Sequence, residues 1–177
     1  MTTRAVTALT AYIAAIVAAN WLTTRYGFVS VGPGLATTAG TFAAGAALLL
    51  RDVVQDTAGR AWVLAGIGIG AALTWATSPA LAVASATAFL IAECADMAVY
   101  TPLRDRGWAR AVLASNTVGA IVDTLLFLAL AGFPVTAATV GGQLVGKLAW
   151  ATALPVAAVL TIRQVRRGHV SRHSVGA

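Results

Sequence analysis

The sequence is dominated by apolar blocks that each run for 16 residues or more, with charges gathered between them. A helix needs roughly 20 residues to cross a hydrocarbon core of about 30 Å, and several of these blocks come close to or reach that length. The strands of an outer-membrane barrel would alternate apolar and polar residues, and these blocks do not. A soluble fold is equally hard to reconcile with the composition. Only 10% of the residues are charged and the mean hydropathy is +0.82, against roughly a quarter charged in a typical soluble domain.

The periodic blocks predict an all-α, polytopic integral membrane protein, a single transmembrane domain over 1–177 with six helices near 6–22, 35–50, 61–77, 80–100, 111–133 and 140–162. Chemistry places the breaks: Tyr26-Gly27 and Gly32-Pro33-Gly34, the charged stretch from Arg51 to Arg60, Ser78-Pro79, Pro102 to Arg110, and Gly132-Phe133-Pro134. Arg4 followed by an alanine-rich run ending in Val17-Ala18-Ala19 imitates a signal peptide, but the run continues through Trp21-Leu22 and further helices follow.

The net charge of +6 could suggest nucleic acid, yet the basic residues lie between and after the apolar blocks and form no basic domain. They act as topology signals. With the N-terminus inside, the inner segments hold Arg4; Arg51 and Arg60; Arg104, Arg106 and Arg110; and Arg163, Arg166, Arg167 and Arg172. The outer segments hold only Arg25. The positive-inside bias therefore predicts that both the N-terminus and the C-terminus are cytoplasmic, and an odd number of helices would spoil the asymmetry. The basic tail from Arg163 to His173 would hold the C-terminus inside and touch anionic lipid.

Four charged residues fall inside apolar blocks: Glu93, Asp96, Asp123 and Lys147. A charge at the centre of a bilayer costs about 2.5 to 3.5 kcal/mol even on the lenient insertion scale, so these side chains must face protein or water. Glu93 and Asp96 share a face of the fourth helix with Tyr100. Asn116 and Asp123 share a face of the fifth with Gly119 between them, and Gln143 and Lys147 are four apart on the sixth. At 1.5 Å rise per residue, Lys147 and Asp123 lie about 10 and 15 Å below the outer ends of their helices, a gap that a lysine stem can bridge. By the same arithmetic Glu93 and Asn116 lie about 10 and 8 Å from the inner edge, so those two could meet as well.

Asp123 and Lys147 could be no more than a structural ion pair. Glu93 and Asp96 have only one intramembrane cation to share, so one of them is expected to be protonated, to bind a cation or to meet the donors of a ligand. Among the weaker signals, Gly66-x-x-x-Gly70 suits close helix packing and, inside an apolar span, is no nucleotide loop. Thr37, Thr38 and Thr41 would line a cavity near the outer end of the second helix, and Pro155 would kink the sixth. The single cysteine, Cys94, allows no intramolecular disulfide, and both histidines, His169 and His173, lie in the tail. With no nucleophile–base pair or metal-ligand set in the apolar blocks, the sequence predicts no enzyme, no cofactor and no metal.

At these same positions the chain resembles the vitamin uptake transporter family, whose characterised bacterial members are queuosine precursor transporters. The resemblance rests on TFAAGAALLLRDVVQDTAGR around Asp52, ECADMAVYTPLRDR around Glu93, Asp96 and Arg104, SNTVGAIVDTLLF around Ser115, Gly119, Asp123 and Thr124, and GQLVGKLAW around Gln143 and Lys147. Together these cover most of helices two to six. The chain departs from the family pattern in an alanine-rich first helix that matches at little beyond Asn20, and in Ala120, where a polar residue would be expected.

The resemblance implies uptake of a 7-deazaguanine, such as 7-cyano-7-deazaguanine or its aminomethyl relative, across the bacterial cytoplasmic membrane. A guanine-like edge presents a ring N–H and an exocyclic amine side by side, which one carboxylate accepts together. Glu93 is the first candidate for that role and Asp96 the second, with Lys147, Gln143 or Asn116 donating to the ring carbonyl and Asp123 at the Lys147 end of the site. The partners implied are a small purine-like solute and membrane lipid, with a homo-oligomer left open and no nucleic acid. An ATPase module is expected only if the chain is instead the substrate-binding subunit of an energy-coupling factor transporter. A non-transport scaffold or pore-former is the third reading, and it would leave the buried charges to fix helix pairing.

Overall fold

The computed structural model describes residues 1–153, 156–162 and 164. Helix α1, Thr3–Tyr26, starts where the Thr2 side chain accepts from the Ala5 amide, satisfying one of the open N–H groups of a first turn. It ends at Gly27, whose φ of +60° few other residues tolerate. The chain then makes a short antiparallel hairpin, β1 at Phe28–Gly32 and β2 at Leu35–Thr38, with Phe28 opposite Thr38 and Val29 opposite Thr37. Helix α2 spans Thr41–Ala58, and after a one-residue break at Gly59, α3 spans Arg60–Trp75. Helix α4, Pro79–Leu103, opens with a Ser78 cap and a proline in its first turn, where the missing N–H costs nothing. A 3₁₀ turn at Arg104–Arg106 leads to α5, Trp108–Leu130. Helix α6, Ala137–Leu144, begins with a Thr136/Thr139 capping box and widens into π-helical turns over Val145–Ala153; residues 156–162 are again helical.

Two boundaries differ from the sequence expectation. The second helix does not occupy 35–50: residues 35–38 form a strand, so the chain is not purely α, and the helix runs on to Ala58, through the stretch read as a charged break. Both shifts have local causes. Thr37 and Thr38 are β-branched and follow a Gly-Pro-Gly turn, so pairing with β1 wins over helix. At the other end, the buried stripe Ala47, Leu48, Arg51 and Val54 keeps helical spacing past Leu50 because Arg51 has partners inside the bundle. Pro155 and the tail from Arg163 to His173 lie outside the described residues, except Gln164.

Helix packing rests on small residues at close approaches. A Cβ at Gly66 or Gly70 would come within 2.8 or 2.7 Å of Tyr12 or Ile16, so the glycines of α3 receive two large side chains of α1. Gly40 admits the carbonyl of Ala19, and Gly142 admits that of Ala36, which seats the hairpin on α6. Phe28 and Phe133 meet edge to face at 5.3 Å.

The distribution of polarity is inverted relative to a soluble protein. Leu64, Ile69, Leu73, Val83, Leu90, Ile91, Leu113 and Leu125 are exposed, while Asn20, Arg51, Thr74, Ser85, Glu93, Asp96, Asn116, Asp123, Gln143 and Lys147 are buried. Such a surface is stable against lipid and unstable against water. Among the described residues, α1, α4 with its 3₁₀ extension and α5 are long and apolar enough to cross a membrane, and α3 is a shorter apolar helix.

Candidate functional site

Helices α2 and α4 bring the first buried cluster together. Arg51 lies one helical turn from Ala47 and Leu48 on the core face of α2, and Glu93 and Asp96 lie one turn apart on α4. Arg51 Nη1 donates to Glu93 Oε2 at 2.7 Å and to Asp96 Oδ2 at 2.8 Å, and its Nε is 3.2 Å from Asp52 Oδ1. Arg51 is 3% exposed. The premise that Lys147 is the one cation available to the buried carboxylates is therefore corrected: Arg51 is a second cation buried in the bundle, and it joins the two acidic residues instead of marking a loop. One guanidinium still faces three carboxylates, so an excess of negative charge or proton demand remains here.

The second cluster lies between α5 and the π-helical continuation of α6. Lys147 Nζ donates to Asp123 Oδ2 at 2.6 Å, to Gln143 Oε1 at 2.9 Å and to Thr124 Oγ1 at 3.0 Å. The pairing expected from helix arithmetic is present. An ammonium has three donors, and each of these oxygens can take one. Holding Gln143 by its oxygen leaves its Nε2, buried and without a hydrogen-bond partner, as an available donor. Asn116 is 1% exposed on α5 and lines none of the cavities described below.

Three cavities follow one another through the bundle. The one at the hairpin end is lined by Asn20, Thr38, Thr41, Ser85, Gln143 and Lys147, with Phe89 and Phe127 as its apolar walls. Thr38 and Thr41 thus line a cavity as the sequence suggested, whereas Thr37, 2.6 Å from Thr41, supports it from behind. A middle cavity lies at Arg51, Glu93, Asp96 and Gly119, and Phe89 lines this one too. These two hold about 20 and 10 Å³, room for roughly one water each. The third, about 300 Å³, lies beyond Asp96 among Asp52, Gln55, Asp56, Tyr100 and Trp108. Phe89 therefore stands between the first two, and Asp96 between the second and third.

Sequence reading missed Arg51 as a site residue and gave Asn20 no role, although Asn20 Nδ2 donates to Ser85 Oγ at 2.9 Å and to Thr74 Oγ1 at 3.3 Å, tying α1, α3 and α4 together. For Arg51 the available signal was the uninterrupted stripe of Ala47, Leu48, Arg51 and Val54 at spacings of three and four.

A helical bundle that buries ion pairs around internal cavities and turns leucine and isoleucine outward is built as a membrane protein. The family model described as "Putative vitamin uptake transporter" matches residues 8–161, and the chain belongs to the vitamin uptake transporter family. No curated protein and no solved structure matches it.

Proposed function

We propose that the protein imports a queuosine precursor, a 7-deazaguanine, across the bacterial cytoplasmic membrane through a six-span bundle with both termini inside. The observation that carries this reading is the line of three cavities bounded by Phe89 and Asp96 in a chain of this family. Helices α2 and α3, at about 27 and 24 Å by their rise, complete the bundle alongside the three long spans and α6 with its continuation. Arg60, Arg104, Arg106 and Arg110 lie at one end and Arg25 at the other, so the positive-inside argument survives the withdrawal of Arg51 from it. Trp21, Tyr26 and Trp75 near one end and Trp62 and Trp108 near the other suit the two headgroup belts.

Within this reading Asp96 takes precedence over Glu93 as the acceptor for the ligand's ring N–H and amine. Both share Arg51, but Asp96 Oδ1 is buried with no hydrogen-bond partner, and Asp96 borders both the second and third cavities. Gln143 Nε2 donates to the ring carbonyl in the cavity at the hairpin end, and Lys147 acts through it by fixing its oxygen. Cavities of one-water size require the helices around Phe89 to part as the ligand passes.

Two experiments test the proposal. Bacteria unable to make 7-deazaguanines, lacking their own importer and supplied with 7-cyano-7-deazaguanine or its aminomethyl relative, should regain queuosine in tRNA when they express this protein; no queuosine with either compound despite normal protein in the membrane contradicts it. For the topology, in a Cys94→Ser background, cysteines at positions 30 and 135 should react with an impermeant thiol reagent in intact cells and one at position 171 should not.

A further inference from the structure

The 300 Å³ cavity is at the lower end of the size range of small-molecule sites, and its lining is chemically one-sided. Asp52, Asp56 and Asp96 contribute carboxylates, and no basic side chain lines it among the described residues. Two further features point to a ligand. Asp96 is 4% exposed and its Oδ1 has no hydrogen-bond partner. Gln55, one turn from Arg51 and Asp52, likewise presents a buried Oε1 with no partner. A buried acceptor left unsatisfied is destabilising, and a donor-bearing ligand would relieve that cost. Tyr100 and Trp108 supply two aromatic faces, and Leu49, Val53, Val112, Val156 and Val159 close the rest.

An inorganic cation does not fit this arrangement. Hard ions need six or more oxygens at 2.0 to 2.6 Å, in a compact shell, whereas here the acceptors are dispersed around a space lined by five aliphatic side chains. A flat ring with a positively charged substituent fits on every count. The ring lies against the aromatic faces, which also attract cations, the charge meets Asp52 and Asp56, and ring N–H groups reach Asp96 Oδ1 and Gln55 Oε1.

We propose that this cavity is a binding site for a planar heteroaromatic cation, formed by Asp52, Gln55, Asp56, Asp96, Tyr100 and Trp108. The inference rests on the importer reading above. Applied to 7-deazaguanines, it makes the protein select the aminomethyl compound, an ammonium at neutral pH, over the uncharged cyano compound.

The test is equilibrium binding of both compounds to the purified full-length protein in lipid nanodiscs at pH 7. The aminomethyl compound should bind at least tenfold more tightly. Asp56→Asn, at an exposed position outside the ion pairs, should narrow that ratio by fivefold or more, and Gln55→Leu should weaken binding of the aminomethyl compound by a similar factor. Equal affinities, or a preference that neither variant changes, would overturn this assignment while leaving the importer reading intact. Binding of neither compound would overturn both.

Discussion

The two buried charge clusters are built from similar parts and are balanced differently. Around Lys147, one ammonium meets one carboxylate and two neutral oxygens, so charge is balanced and the donor left over is the neutral Gln143 Nε2. Around Arg51, one guanidinium meets three carboxylates and at least one carboxylate oxygen has no partner. Satisfied buried networks hold helices in register, and unsatisfied ones in a cavity are where a ligand or proton can act. The contrast in charge makes the Lys147–Asp123 pair chiefly a helix tie that steadies one neutral donor, Gln143, and assigns the acidic chemistry to the Arg51 cluster, with Phe89 between them.

Mutation can break this contrast most severely at Arg51. Arg51→Met leaves Glu93 and Asp96 buried without their cation, and breaking such a pair costs about 3 to 5 kcal/mol. Little folded protein should survive extraction, as read by size-exclusion yield. Arg51→Lys should recover only part of that, since one ammonium does not reproduce the span of a guanidinium from Asp52 to Asp96.

The Lys147 cluster should lose about as much to a single change but should be repairable. Lys147→Met or Asp123→Asn alone leaves an uncompensated group, while the double variant removes both charges and should regain most of the melting temperature. Strictly additive losses in that cycle would mean that the two do not interact. Outside both clusters, Gly142→Ala drives a methyl into the Ala36 carbonyl and should cost about 1 to 3 kcal/mol by levering the hairpin off α6. Asn20→Ala should cost less, about 1 to 2 kcal/mol, as two hydrogen bonds between neutral groups are lost; thermal unfolding in detergent ranks the two.

The Lys147 cluster was legible in the sequence and the Arg51 cluster only half so, for a physical reason. Asp123 and Lys147 interrupt unmistakably apolar helices, so each had to find a partner and the rise per residue limited the choice. Arg51 opens a run with Asp52, Gln55 and Asp56 that has the composition of a loop, and only its helical register with Ala47, Leu48 and Val54 shows that it points inward. The β-hairpin was hidden because Leu35 and Ala36 continue the apolar block that follows them. Gly66 and Gly70 announced a close packing face, but their partners Tyr12 and Ile16 lie more than fifty residues away, and only the assembled topology brings them there. The cavities, made by four or more helices at once, have no signature in any one segment.

The division of labour between the clusters is tested most directly by 7-deazaguanine uptake, normalised to the amount of folded protein in the membrane, in two variants. Asp96→Asn should insert at near-normal levels and lose uptake by tenfold or more, while the Asp123→Asn, Lys147→Met double variant should keep at least a third of it. Uptake that survives Asp96→Asn and disappears in the double variant would place the chemistry at Lys147 and contradict the account.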